Sequence, residues 1–542
     1  MLSGPSSHTV RKVNLKSTLD FLPYAEGASW NPTLICSPET RVALLVDISK
    51  WATNATANTE RIFWLCDVAG SGKSAIAHTV AQQCRAKGLL ISSFFFDREI
   101  SGRNGPRTLL STIARDLAGL NPALAEDIVA VLEEDRSIAS APLTRQFEEL
   151  ILKPSSRYTF TKPAIIVIDA LDEADEGQGS EIFTELLDIF SNQVPKLPEM
   201  FRIFLTSRPK REFDEIHSQH DHVQLRSIDI HAHANLNDIE IYVQLKLKEI
   251  GRRGKLGENW PDQSLAKEFT GTAEGLFIWV STVCNYIHTT IDPKEELRHL
   301  ISQRSPQGLP AEEKMDELYI TILKTCNWRD NAFVQGYGLV MGSIMAAKSP
   351  LSVMALQSLL GNSLKWPVER ILQPLRSLLS GLIAAGPVRI LHQSFRDFVT
   401  IRAEISPDSR QFFLCIKTCN QHMALQCIEK LNKELTDDIV GIGYLEADEK
   451  VLPGIPEIHD ITEELLYACK FWIDHTVGVQ SPVPNELTTA LHDLLSTRLV
   501  LWIEVISSMG RFPGLWEVYK WCQVRIKYSL LPSLNLIIIS RC

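Results

Sequence analysis

Two rhythms of apolar residues run along the chain. Between about residues 60 and 230, short apolar runs alternate with longer stretches of helical spacing. Ile62-Phe63-Trp64-Leu65-Cys66 and Pro163-Ala164-Ile165-Ile166-Val167-Ile168 carry no polar interruption, as expected of central parallel strands buried on both faces. Leu90 to Phe96, Arg202-Ile203-Phe204-Leu205 and Val223 to Ile228 read as further strands, and Ala75 to Cys84, Thr108 to Leu117 and Ala123 to Leu132 as helices. The alternation predicts an α/β fold with a doubly wound parallel sheet covered on both faces.

Outside that region the strand rhythm is nearly absent. Residues 1–59 begin with a Ser/Gly/Pro-rich lead and predict one helix, Pro38 to Trp51. Its apolar positions fall on two sides (Val42, Leu45, Val46; Leu44, Ile48, Trp51), which predicts burial over much of its circumference. Residues 231–330 read as helices: Asn237 to Leu247, one opening at Gly275-Leu276-Phe277, and Pro310 to Cys326. In 331–403, helices at Leu351 to Leu360 and Val368 to Leu379 precede a strand-like Val388 to Leu391 and a helix from Ser394, an order that fits a winged helix. Residues 404–523 are helical by pattern, with loops at 441–459 and 476–485, and 524–542 form an apolar tail expected to pack as a last helix or strand.

The chemistry concentrates where the first strand ends. Asp67-Val68-Ala69-Gly70-Ser71-Gly72-Lys73-Ser74 lies between a strand and a helix, the setting of a phosphate-binding loop. Backbone N–H groups from Ala69, Gly70, Ser71 and Gly72 through Lys73, Ser74 and Ala75 would cradle polyphosphate at a helix N-terminus. Lys73 would reach the β- and γ-phosphates, and the Ser74 hydroxyl would ligate Mg²⁺. The strict pattern has glycine where this chain has Asp67. Asp tolerates the left-handed backbone a first glycine often adopts, yet its carboxylate near phosphates would repel them. Asp169, ending a strand expected beside the loop strand, is the natural second Mg²⁺ partner. Asp172 and Glu173 follow as candidates to orient or deprotonate water, with Glu173 the preferred base. Arg208, after the Arg202 strand, would face the γ-phosphate at the carboxyl edge of the sheet. Asp97 and Arg98 point to the same crevice.

The set WLCDVAGSGKSAIAHTVA, VIDALDEAD, FLTSRP, GLFIWVSTVC and LHQSFRDF resembles the NACHT class of signal-transducing P-loop NTPases, in the nephrocystin-like form of fungal multidomain receptors. Ala170 directly after Asp169, followed by Asp172-Glu173, is the feature that points to that class. The resemblance implies a nucleotide-gated switch that hydrolyses slowly, is closed with ADP and self-associates with triphosphate. It makes 231–330 a helical lid, and it implies that His392 of LHQSFRDF contacts the β-phosphate of ADP. Relatives often have Pro against adenine where this chain has Phe277, whose ring could stack there instead. The family's usual N-terminal effector domain and C-terminal sensor repeats have no counterpart, so the chain is expected to be the switch without its sensor.

Composition narrows the partners. The 542 residues carry a formal net charge of −10, which argues against a non-specific hold on nucleic acid. The N-terminus has no apolar leader and no run suits a membrane span, so a cytoplasmic location is expected and the 11 cysteines read as reduced thiols. Cys415, Cys419, His422 and Cys427 span about 18 Å along one helix, too far to share a zinc ion; the first three read as a buried stripe. His217, His220 and His222 read as loop. The reading is therefore a switch that takes Mg²⁺ with ATP (or GTP), self-associates, and works with protein partners that its residues do not name. The alternative is a non-catalytic interaction scaffold whose loop Asp67 has impaired.

Overall fold

The computed structural model describes residues 15, 17–54, 60–98, 100, 102–174, 181–210, 213, 216, 220–257, 260–302, 308–382, 386–439, 441–442, 458–509 and 514–525. His217 and residues 526–542 of the apolar tail lie outside them. The chain divides into two compact units, Met1–Lys314 and Met315–Cys542.

The first unit is built on five parallel strands: β1 (Ile62–Cys66), β2 (Leu90–Phe95), β3 (Ala164–Asp169), β4 (Phe201–Ser207) and β5 (Val223–Arg226), in the order β2-β3-β4-β1-β5. Because side chains alternate along a strand, both faces must be apolar if both are covered. Ile62, Trp64, Ile166, Ile168, Ile203 and Leu205 enter one core cluster. Phe63, Leu65, Ile165, Val167 and Phe204 enter the other. Helices α1 (Val42–Thr53) and α2 (Lys73–Ala86) supply Ile48, Trp51, Ile76 and Val80 to the second cluster. Helices α3 (Leu109–Ala118) and α4 (Pro122–Glu134), with α5 (Leu143–Phe147), a π turn at Glu148–Leu152 and α7 (Glu181–Asp188), supply the first, and α6 (Lys153–Arg157) continues from the π turn. This is a parallel α/β sheet with an apolar core on each face.

Two expectations are corrected here. Helix α1 buries Ile48, Trp51 and Ala52 but leaves Val42 and Val46 about half exposed, so one face rather than most of its circumference packs. The packed face meets α2 and the sheet, with Trp51 against Phe63 of β1 at 5.4 Å between ring centroids. Strand β3 does not lie beside β1, since β4 pairs with both, Leu65 to Thr206 on one side and Leu205 to Ile168 on the other. Part of the segment before α1, residues 22–36, packs on this core. Leu22, Ala25 and Ala28 are buried, and the N–H groups of Ala25, Asn31 and Cys36 donate to Thr112 Oγ1, His78 Nδ1 and Thr79 Oγ1.

Beyond β5 the unit is helical: α8 (His233–Gly254), α9 (Gln263–Thr272), α10 (Phe277–Thr289), α11 (Pro293–Ser302) and the first turn of α12 (Ala311–Lys324). Gly275 turns the chain between α9 and α10 at φ 85°, where a Cβ would meet the Ile230 carbonyl oxygen at 2.1 Å. Asn235 Nδ2 donates to both Ile230 O and Gly275 O and joins these segments.

The second unit carries the rest of α12, then α13 (Asn331–Ala346), α14 (Val353–Leu360) and α15 (Val368–Leu372). A short antiparallel pair follows, β6 (Leu379–Ser380) with β7 (Arg389–Ile390), leading into α16 (Gln393–Thr400). The strand expected over Val388 to Leu391 is thus one arm of a two-stranded hairpin. Arg402 binds Asp316 through Nε and Nη2, and Tyr319 shares a hydrogen bond with Ser394, so α12 and α16 are cross-tied. The unit ends in α17 (Ile416–Glu434), α18 (Glu463–Val477), α19 (Asn485–Asp493), α20 (Leu499–Ser508) and α21 (Trp516–Arg525), with Trp472 and Trp502 fully buried between α18 and α20.

Candidate nucleotide site

The carboxyl ends of β1, β3 and β4 lie in register, which brings the residues that follow them together. From β1 the chain passes through Asp67 to Gly72 and enters α2 at Lys73. The left-handed residues of the loop are Gly70 (φ 81°) and Gly72 (φ 92°), the latter as the α2 N-cap. Asp67 is not left-handed, so its place in the turn needs no glycine. Its carboxylate accepts the N–H of Val68 at 2.6 Å and that of Ile228 at 3.1 Å. The group that departs from the motif therefore caps the loop and ties it to the chain leaving β5. Burial raises the Asp67 pKa, against the lowering effect of these two amides and of Lys73.

Lys73 is 9% exposed, and its Nζ donates to the carbonyl oxygens of Asp67 (2.7 Å) and Val68 (2.8 Å). It lies folded into the concavity of the loop. Desolvation lowers its pKa, with Asp172, Asp67 and Asp169 acting in the opposite direction. Ser74, one position on, is exposed, and it lies near enough to the Asp169 carboxyl to lower that group's pKa. Asp169 also accepts from the Thr206 hydroxyl on the intervening strand. That donor explains how a carboxylate two strands away from β1 still serves the loop: β4 carries the bridging hydroxyl. Asp169 is 4% exposed and desolvation raises its pKa.

After Asp169 the chain turns at Ala170, whose φ of 57° is left-handed although it has a side chain. The Thr206 hydroxyl accepts the Ala170 N–H at 3.0 Å, and Ala170 O accepts from Glu173 N, so the turn is held on both sides. Asp172, 2% exposed, accepts the Arg208 N–H at 2.9 Å and lies 3.4 Å from Arg208 Nε. Arg208, expected to face the γ-phosphate, is thus engaged with Asp172. The cause is register: Arg208 leaves β4 directly above the Asp172 turn. Arg98 Nη2 donates to Asp172 O at 3.1 Å, which fixes the turn from β2. Part of Glu173 reaches solvent, yet desolvation, then the charges of Asp172 and Asp97, push its pKa up to about 8.

The Ser74 hydroxyl and the Asp169 carboxylate are hard oxygen donors, suited to Mg²⁺ completed by phosphate oxygens and water. Among the described residues no group of three or more His, Cys, Asp or Glu could hold a metal ion by itself. Cys419 and Cys427 are buried, but Cys415 is exposed because it is the N-cap residue of α17 and not part of its stripe. His222 Nε2 hydrogen-bonds the Phe190 carbonyl, a structural contact.

Sequence reading missed Arg41. Its Nη2 donates to Ser71 O at 2.7 Å, and its guanidinium lies 4.6 Å from the Phe277 ring centroid. Tyr242 packs edge-on to the same ring, so Phe277 does not present the free aromatic face expected for a base. His392 stands in the second unit as the N-cap of α16, where burial lowers its pKa to about 4.

The family described as Nephrocystin 3, N-terminal, matches residues 44–208, the segment that holds the loop, Asp169, Asp172-Glu173 and Arg208. No curated protein matches the chain. The Aeropyrum pernix ORC2 protein, in ADPNP-ADP complexes, is similar at 13% identity and a TM-score of 0.32, over 72% of this chain and 95% of that one. Drosophila ORC bound to poly(dA/dT) DNA and Cdc6 is similar at 12% identity and a TM-score of 0.22, over 99% of this chain and 75% of that one. Among the described residues no helix is long and apolar enough to cross a membrane.

Proposed function

We propose, from the premise that residues 44–208 belong to the nephrocystin 3 N-terminal family, that the protein is a nucleotide-dependent switch. It takes a purine nucleoside triphosphate, ATP or GTP, with Mg²⁺ at the loop after β1 and hydrolyses it slowly. The observation that carries the reading is the buried Lys73 ammonium held inside the glycine loop by the Asp67 and Val68 carbonyls, with Ser74 next to it near the buried Asp169 carboxyl. Loop amides from Ala69 to Ala75 and Lys73 hold the phosphates, and Ser74 and Asp169 hold the metal. Mg²⁺, when bound, supplies charge neutralisation on the phosphate oxygens. Glu173 takes the proton of the attacking water, while Asp172 holds Arg208 at the rim as the γ-phosphate sensor. A carboxyl whose pKa lies near 8 is mostly protonated at neutral pH, which agrees with slow turnover.

The finer architecture belongs to the same proposal. Residues 1–59 are a lead-in, 60–230 the NTPase core, 231–330 a lid, 331–403 a winged helix, 404–523 a helical arm and 524–542 a tail. The β6-β7 hairpin leading into α16 supports the winged helix. His392, at the head of α16, clasps the β-phosphate of the diphosphate. The switch is cytoplasmic, self-associates in its triphosphate state and signals through that change. The rival scaffold reading rested on Asp67 repelling phosphate, and its carboxylate is instead taken up by two backbone amides. Nucleotide released by denaturing the purified protein tests the proposal. Near-stoichiometric ADP that is absent from Lys73→Ala is expected. A protein that carries none, and takes up neither ATP nor GTP with Mg²⁺, overturns it in favour of the scaffold.

A further inference from the structure

Arg41 belongs to none of the motifs, yet it joins three separate elements of the first unit. It is 7% exposed. Nη2 donates to Ser71 O at 2.7 Å, inside the glycine loop. Nη1 lies 4.0 Å from Asp238 Oδ2 on α8, and Arg41 lowers the pKa of that carboxyl against its desolvation. The guanidinium carbon stands 4.6 Å from the centroid of Phe277, the first residue of α10.

The backbone is bent to deliver this group. Arg41 has φ 60° and Glu39 has φ 66°, left-handed conformations that side chains disfavour. Such residues persist where their surroundings over-determine them, and they cluster at functional sites. The loop side is also built for contact. Gly70 O accepts from Ile278 N at 3.3 Å, and a Cβ on Gly70 would lie 2.1 Å from Ile278 Cγ2. The head of α10 can approach the loop only because residue 70 is glycine. A planar guanidinium can serve a carbonyl, a carboxylate and a ring face at once, whereas a lysine ammonium is a point charge without that fork.

We propose that Arg41 is a positioning residue that couples the nucleotide loop to α8 and α10, so that nucleotide held at the loop orders the heads of both helices. This rests on the nucleotide reading above. Ser71 O is held by the same cation that engages Asp238 and Phe277, so a loop fixed by phosphate fixes Arg41, and Arg41 fixes the helices.

Hydrogen–deuterium exchange of the full chain with and without Mg-ADP tests it in the unmutated protein, Arg41→Ala and Arg41→Lys. In the unmutated protein ADP should slow exchange both in residues 69–75 and across α10, the latter about tenfold, within the usual range of coupling between sites. In both variants protection of 69–75 should remain, while α10 is slowed less than about twofold. Lysine keeps the buried cation and so separates loss of coupling from loss of folding; Phe277→Leu should give an intermediate value. Full transmission to α10 in Arg41→Lys and Arg41→Ala would overturn the inference while leaving the nucleotide site intact. Absence of loop protection in the unmutated protein would overturn the nucleotide reading and this inference with it.

Discussion

Two N–H groups, from Val68 and Ile228, converge on the Asp67 carboxylate, which makes that side chain a strut of the loop. Replacing it with glycine should leave Mg-ADP affinity within about threefold and lower unfolding stability by about 1–3 kcal/mol, the range for hydrogen bonds to a buried charge. Denaturant titration with a binding isotherm checks both, and a large gain in affinity would show that Asp67 does impede phosphate. Glu173 permits a second prediction. Its pKa is raised to about 8 and a general base works only when ionised, so kcat/KM should rise with pH towards a plateau above about pH 8. Glu173→Gln should lose that rise together with most of the turnover. The residues of this site were unequally legible. Lys73, Ser74 and Asp169 could be read because their chemistry fixes their spacing to a strand end. Arg41 could not, because its meaning lies in contacts 30 residues away at Ser71 and farther still at Asp238 and Phe277.

Helix α10 and the glycine loop meet so closely that one methyl group decides the fit. Gly70→Ala adds a Cβ at φ 81° and within 2.1 Å of Ile278 Cγ2. The left-handed strain alone costs about 1–2 kcal/mol, and the clash adds to it. Shortening the partner with Ile278→Ala should itself cost about 2–5 kcal/mol as a cavity. The double variant should be less destabilised than the sum of the two, a coupling that chemical denaturation reads directly; strict additivity would mean that the two elements do not touch. Elements with a clean period were visible in the sequence: the β1 and β3 runs, α2, α3 and α4. The strand order was not, since β4 inserts between β1 and β3 through contacts that no local pattern carries. Helix α13 escaped because Phe333, Tyr337, Val340, Met341 and Ile344 are buried around much of its circumference, which erases the polar face. The stretch from α5 to α6 escaped because its π turn breaks the 3.6-residue rhythm.

At the scale of the whole molecule, each unit has its own core and its own ties. The first gathers the loop, the acidic turn after β3 and α8 to α10 in one unit with the sheet. The second closes on α12 and α16 through Arg402–Asp316, and on α18 and α20 through Trp472 and Trp502. A switch in this chain needs nucleotide at the first unit as its input. Calorimetric titration of Mg-ADP into the nucleotide-stripped full chain, beside Lys73→Ala, therefore tests the account most directly. The account predicts one site per chain, weakened at least about a hundredfold in the variant, which corresponds to about 2.7 kcal/mol. Equal affinity in the two proteins, or no binding in the unmutated chain, would contradict it.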